Sequence, residues 1–321
     1  MTIAPCTSTL RYGEVSHKQC TNWLCATPNF SPGSKDRNML SVKDNQLEGA
    51  AKRTLASING SSEPLKPLYL QPDRAIFLAE RSGIVLKVYR EGKTLQYEYE
   101  IAQKAQTKGV PTAEILRLEP GELTVMAMRQ VVGKPLSSAE VSAAKEAGRY
   151  IEQFHTIPTA PPFSGGQDRW DEFILWWARH EIGNVERLGI FTEDEIGKLR
   201  GTFDAIKSAL IERPIAFLHG DLQTAHILVE PQTQRVAAFL DFADAQPGDP
   251  LLDIAVLSLW DHHLADAVLE GYTSIENDER TQELLAHYRL LRLLGEVPWL
   301  LNRGFREMAE KDIRAIKEII V

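Results

Sequence analysis

The chain has 321 residues, 43% of them hydrophobic and 25% charged, with a formal net charge of −8. That balance is ordinary for a globular protein of two cored lobes, and no apolar run approaches the ~20 residues needed to cross a bilayer. The opening MTIAPCTSTLRYGE lacks the charged start and apolar block of a secretory leader, so a cytoplasmic protein without a membrane partner is expected.

Charge is unevenly spread. Residues 1–150 carry 20 Lys+Arg against 15 Asp+Glu, and residues 151–321 carry 16 against 29. An acidic C-terminal half argues against nucleic acid as partner and would suit a cationic small molecule, although a solvated acidic face serves solubility equally well.

Residues 1–40 are rich in Ser, Thr, Asn and Pro without a sustained period and read as an N-terminal extension. Cys6, Cys20 and Cys25 all fall there; an odd count argues for free thiols rather than a disulfide framework. From Ser41 a helical pattern begins, with Leu47, Ala50, Ala51, Leu55 and Ile58 on one face and Gly60 as its stop.

Strand-like runs follow at 68–71, 75–79 and 84–89, the last two joined across Ser82-Gly83. A helix over 95–108 and strands near 114–118 and 123–128 complete a small lobe spanning 41–130. Beyond the break at Gly133-Lys134-Pro135 helices dominate, in a second lobe of residues 131–321. Ser137-x-x-Glu140 and Thr192-x-x-Glu195 are capping-box patterns, placing helix starts before the runs that end near His155 and Ile211. Trp170–Leu188 reads as another helix, and apolar periodicity recurs over 264–269, 284–294 and 313–320.

The densest chemistry lies in HGDLQTAHILVE (219–230) and LDFADAQPGDPLLD (240–253). Phosphoryl transfer needs an oriented hydroxyl and metal-held phosphates, and kinases meet this with H-R-D-L-x-x-x-N followed by a metal-binding Asp-Phe. Here His219, Asp221 and Leu222 keep step, His226 stands where Asn is expected, and Asp241-Phe242 follows two short apolar strands, 227–229 and 236–240.

These segments resemble the aminoglycoside phosphotransferase family of small-molecule kinases, whose signature is similar to HGDxxxxN, a hydrophobic-Asp-Phe/Trp segment and GDPxxD. The matching residues are His219-Gly220-Asp221, His226, Leu240-Asp241-Phe242 and Gly248-Asp249-Pro250 with Asp253. The resemblance covers roughly residues 41–321. It implies an α+β, two-lobed protein-kinase-like fold with a small antiparallel-sheet N-lobe and a larger, mostly helical C-lobe. It also implies a Mg2+-dependent enzyme that moves the γ-phosphate of ATP or GTP to a hydroxyl of a small molecule, an antibiotic of aminoglycoside or macrolide type being first expected. A metabolic kinase for choline, homoserine or a sugar, and a nucleotide-binding pseudokinase, are the alternatives. Monomer and homodimer both remain open.

By the same resemblance Asp221 is the catalytic carboxylate, accepting the hydroxyl hydrogen bond and then its proton, and Asp241 binds magnesium. His219 braces the loop, Asp249 is structural and Asp253 sits at a helix N-terminus favoured by the dipole. Lys87, within the β-prone run Ile84–Val88, becomes the lysine on the α- and β-phosphates, oriented by Glu98 or Glu100; counted back from Val110-Pro111, Glu98 fits better. The stretch Ala127–Gln130, with Met128 and Gln130, should offer backbone groups to the purine edge.

Two departures stand out. The turn Gln71-Pro72-Asp73-Arg74 has no glycine where a phosphate-covering loop usually needs one. At His226 an imidazole replaces a hard oxygen ligand, so three readings stand: direct metal ligand, holder of a metal-bound water, or mark of a pseudokinase. For the acceptor, Asp244, Trp170, Glu172, Trp176, Trp260, Asp261 and Trp299 are candidate wall residues, since aromatics with carboxylates suit amino sugars.

Overall fold

The computed structural model describes residues 37–320 apart from 61, 164 and 165, with side chains from residue 46 onward. The expected extension and its three cysteines therefore lie, up to residue 36, outside the described residues.

Period-2 alternation builds the small lobe. Five antiparallel strands stand in the order β1-β2-β3-β5-β4: β1 Lys66–Gln71, β2 Arg74–Ala79, β3 Ile84–Tyr89, β4 Ile115–Glu119 and β5 Thr124–Arg129. Ala75, Phe77, Ala79, Leu86, Val88, Val125 and Ala127 point to one face, where they pack on Leu47, Ala50, Ala51 and Leu55 of α1 (Arg37–Asn59). The alternate residues Met126 and Met128 point to the other face with Leu95 of α2 (Gly92–Thr107). Lys87 lies between Leu86 and Val88, so its side chain must emerge on the α2 face; that parity gives it a carboxylate partner.

The large lobe gathers around one core formed by α3 (Val141–His155), α4 (Trp170–Arg187), α7 (Pro250–Leu257) and α9 (Glu279–Asn302). Shorter helices α5 (Glu193–Ala205), α6 (Lys207–Leu210) and α8 (His262–Leu269), then α10 (Arg306–Ile319), complete it. Two small sheets lie at its top: β6 (Lys134–Pro135) with β8 (Ile227–Val229) and β9 (Val236–Phe239), and β7 (Ala216–Leu218) with β10 (Gln246–Gly248). Helices α3 and α8 meet backbone to backbone. A Cβ on Gly148 would lie 2.0 Å from the Val268 carbonyl oxygen, and one on Gly271 1.8 Å from that of Lys145.

The two-lobed α+β architecture agrees with the sequence reading, while some borders move. Helix α1 starts at Arg37, ahead of Ser41. The Thr192 capping box forms in full. The Ser137 box does not cap α3, which begins at Val141; Glu140 instead turns its carboxylate back to Ser137 and Lys134 (2.6 Å). Among the described residues no helix is long and apolar enough to cross a membrane.

One buried group disturbs this packing. Asp312 of α10 is only 2% exposed, its Oδ2 has no hydrogen-bond partner, and burial with help from Glu296 pushes its carboxyl up to about 7. The folded chain holds a proton there that the unfolded chain releases near pH ~4. Stability is therefore drained as pH rises from about 4 through 7. Thermal melts of wild type and Asp312→Asn at pH ~4 and ~8 check this: the variant should gain ~2 °C or more at pH ~8 and little at pH ~4.

Candidate active site

The site is built where β7 ends. Leu218 is fully buried in the strand, and the chain then turns through His219-Gly220-Asp221. This turn hangs on Asp253 in the first turn of α7: its carboxylate accepts the N–H of His219 (2.7 Å) and of Gly220 (3.0 Å) and faces His155 Nε2 (3.1 Å). Charge-assisted bonds of this kind contribute ~1.5–3 kcal/mol each. Gly220 adopts φ +82, and a Cβ on it would lie 1.9 Å from the Asp244 carbonyl oxygen. Only glycine combines that conformation with that closeness.

His219 Nε2–H donates to the Leu240 carbonyl (2.9 Å), and the ring packs between Phe154 and Phe242. Burial holds its pKa below the ordinary histidine value, so the ring is neutral and braces the loop. Asp221 follows, 3% exposed, its Oδ1 taking Arg292 Nη2 (2.8 Å) and Gln223 Nε2 (3.1 Å).

Across the cleft Lys87 Nζ bridges Glu98 (2.6 Å) and Asp241 (3.1 Å), which settles Glu98 over Glu100 as its partner. Burial works against the ammonium, but Asp241 and Glu98 outweigh it and hold Lys87 above the ordinary lysine value. Burial, with Asp241 adding to it, pushes Glu98 up to about 7 against the pull of Lys87. Asp241 goes the other way: burial would raise its carboxyl, but the charge and hydrogen bond of Lys87 together with the neighbouring His226 hold it below the ordinary value. Two carboxylates thus share one cation. Asp241 has φ +64, a strained conformation for a side-chain-bearing residue.

His226 ends the 3-10 turn Thr224–His226. Its Nδ1 lies 2.7 Å from the Asp221 carbonyl oxygen and must donate to it. In the neutral ring that leaves the Nε2 lone pair buried, without a hydrogen-bond partner, 4.0 Å from Asp241 Oδ2. The two atoms converge as a metal-side pair would. Among the described residues no cluster of three or more His, Cys, Asp or Glu is arranged for a metal. Magnesium commonly takes few protein ligands and completes its shell with phosphates and water, so this donor set fits it apart from the softer imidazole.

Asp249 is fully buried: its carboxylate caps α7 at Leu251 N–H (3.0 Å) and accepts from Arg213 (2.5 Å) and Tyr288 (2.8 Å). Trp170 belongs to this network rather than to an acceptor wall. It is 4% exposed and donates its indole N–H to Tyr288 (2.7 Å).

An open cleft lies between the lobes, lined among others by Val85, Lys87, Glu98, Met126, Met128, Val131, His226 and Asp241. Gln130 lines it too, yet its N–H is given to the Gly83 carbonyl (2.8 Å), so that N–H is not available to a purine edge. At the lip, Gln71 pairs with Arg74 across a two-residue turn; no long loop exists there, and Arg74 is tied to Asp73 (3.1 Å) over the Tyr89 ring.

The remaining acceptor candidates do not converge. Asp244 does stand at the loop, its backbone against Gly220, and burial together with Asp221 and Asp241 pushes its carboxyl up to about 8. Glu172 reaches Arg169 and Trp176 stacks on His180, both on the outer side of α4. Trp260 is 47% exposed with Lys311 Nζ 3.4 Å from its ring centre, while Asp261 accepts from Ser138 N–H (3.3 Å). Trp299 is covered by Arg303 at 4.2 Å. The chain's own cations thus occupy two of the expected aromatic platforms. Sequence reading missed Arg292, which sits 71 positions from its partner Asp221 with no local pattern to mark it.

A carboxylate on a braced loop, facing a lysine–carboxylate bridge across a two-lobed cleft, defines a phosphotransferase with a kinase-like fold. Residues 73–288 match the model of the APH phosphotransferase enzyme family, and the chain belongs to that family. Among solved structures, the GDP and kanamycin complex of APH(2")-IIia superposes with TM-score 0.68 at 14% identity, covering 85% of this chain and 98% of that one. A thermostable mutant of APH(4)-Ia gives 0.62 at 18% identity (84% and 98%). A choline/ethanolamine kinase family protein from Mesorhizobium loti gives 0.63 at 20% identity (85% and 95%). At such identities the likeness is one of fold, and it spans both lobes.

Gly220→Ala tests the loop geometry. The added methyl should displace the Asp221 turn, lowering turnover ~100-fold or more and costing ~1–3 kcal/mol in urea unfolding. Wild-type turnover would contradict the close approach.

Proposed function

We propose that this chain is a Mg2+-dependent O-phosphotransferase that moves the γ-phosphate of ATP or GTP to a hydroxyl of a small molecule. The observation that carries the proposal is Asp221, held by Asp253 and Arg292 in the large lobe, together with the Lys87–Glu98–Asp241 bridge that spans the cleft between the lobes. Residues 41–130 form its nucleotide-binding lobe and 131–321 its catalytic and acceptor lobe.

Within this reading the purine enters over Met128 and Val131. The N–H of Val131, which among the described residues makes no backbone hydrogen bond, replaces Gln130 as donor to its edge. Lys87 meets the α- and β-phosphates. Asp241 and His226 would hold magnesium, which neutralises charge on the phosphates when bound. Asp221 orients the acceptor hydroxyl and takes its proton.

The acceptor in this reading is an antibiotic, aminoglycoside or macrolide in type; neighbours of this fold have been solved with kanamycin, streptomycin and hygromycin B, which supports the aminoglycoside type. A metabolic alcohol is the second reading, supported by the choline/ethanolamine kinase family neighbour. The chemistry separates them: an aminoglycoside needs several carboxylates in reach, a choline-like cation an aromatic box.

Incubating the full chain with Mg-ATP or Mg-GTP and a panel of aminoglycosides, macrolides and small alcohols, and following diphosphate release with mass analysis of the acceptor, tests the activity. Asp221→Asn should lower transfer ~10²–10⁴-fold while nucleotide affinity stays near wild type. Tight nucleotide binding with no turnover on any acceptor would instead favour a pseudokinase.

A further inference from the structure

The site is overloaded with negative charge. Glu98 and Asp241 line the cleft, Asp221 and Asp244 lie close enough for their charges to act on each other and on that pair, and Lys87 is committed to two of the four. A nucleoside triphosphate adds several more negative charges. The cation in contact with the catalytic carboxylate is Arg292, and it arrives from α9, a helix that carries none of the motif residues.

Its placement is deliberate in physical terms. Arg292 is 9% exposed; its Nη2 donates to Asp221 Oδ1 (2.8 Å) and its Nε to Glu296 (2.9 Å), one turn further along the same helix. Held on two edges, the planar guanidinium has few rotamers left to lose. Helix α9 packs along α7, whose Asp253 anchors the His219–Asp221 turn, so the cation and the carboxylate it touches are fixed to one rigid body. A pure packing role would need neither the charge nor the contact with Asp221.

We propose that Arg292 is a catalytic residue of the transfer: it orients the Asp221 carboxylate before reaction and shifts its charge to the phosphoryl oxygens during it. This rests on the phosphotransferase reading above. In the step, the acceptor O–H bond breaks and its proton passes to the Asp221 carboxylate as the acceptor oxygen bonds to the γ-phosphorus. The bond from that phosphorus to the bridging oxygen breaks, and the nucleoside diphosphate leaves with its electron pair. Asp221 becomes neutral at that moment, its hold on Arg292 weakens, and the guanidinium charge, still anchored by Glu296, is left to the oxygens carrying the transferred charge. Gln223, also on Asp221 Oδ1 (3.1 Å), keeps the carboxyl group oriented meanwhile.

The test compares wild type, Arg292→Met and Arg292→Lys as full chains. Turnover is measured with the best acceptor and with water as acceptor, and calorimetry measures the affinity for ADP-Mg2+ alone and with tetrafluoroaluminate, a mimic of the phosphoryl group in flight. Arg292→Met should lose ~10²–10³-fold in kcat and a similar factor in affinity for the tetrafluoroaluminate complex, with ADP affinity within ~3-fold of wild type. Arg292→Lys keeps the charge but cannot span Asp221 and Glu296, and should lose ~10-fold. A residue that merely packs would move melting temperature or both affinities equally.

Wild-type-like turnover in Arg292→Met, or equal losses for ADP and the tetrafluoroaluminate complex, would overturn the inference while leaving the phosphotransferase intact. A wild type without turnover on any acceptor or water would overturn both. If circular dichroism finds Arg292→Met unfolded, Arg292→Lys decides: wild-type affinity for the tetrafluoroaluminate complex refutes the role.

Discussion

Lys87 bridging Glu98 and Asp241 is the contact on which the rest of the molecule turns. It joins a strand, a helix and the opposite lobe through one ammonium, in a setting where burial alone would strip its charge. A buried lysine is tolerable only when its partners are already in place. The sheet parity that turns it inward, the helix that supplies Glu98 and the loop that delivers Asp241 must therefore be satisfied together. One cation for two carboxylates also leaves the site short of positive charge, ready for a metal and in need of a second cation.

The large lobe meets that demand by suspending its reactive groups from buried carboxylates. Asp253 holds the turn that ends in Asp221, and Asp249 ties α7 to Arg213 and, through Tyr288, to Trp170. Both belong to the GDPxxD segment, so a run that looks like a simple turn organises α7, α9 and the catalytic loop at once. Arg292 extends the same logic, bringing a charge from α9 to a carboxylate 71 positions earlier.

How much of this was legible depended on range. The Asp221 loop and the Asp241 segment are local patterns whose order and spacing carry the family resemblance, and Lys87, a lysine in a β-prone apolar run, is picked out through that resemblance. The Thr192 box was equally local and formed. Groups set by tertiary packing were not. Trp170 looked like a ligand platform, yet its indole N–H found Tyr288 118 positions away. Gln130 had the right place in the chain, but its N–H was taken by Gly83. The strands β7 and β10, three residues each, carry too little pattern to announce themselves and exist because they pair with each other.

The dependence on the Lys87–Asp241 contact is open to one direct measurement, a double-mutant cycle on Mg-ADP affinity with Lys87→Met, Asp241→Asn and the pair. If the two side chains act as one nucleotide-holding unit across the cleft, the cycle should leave a coupling of ~0.5–3 kcal/mol. Strictly additive losses, or single variants that bind Mg-ADP as wild type does, would contradict the account.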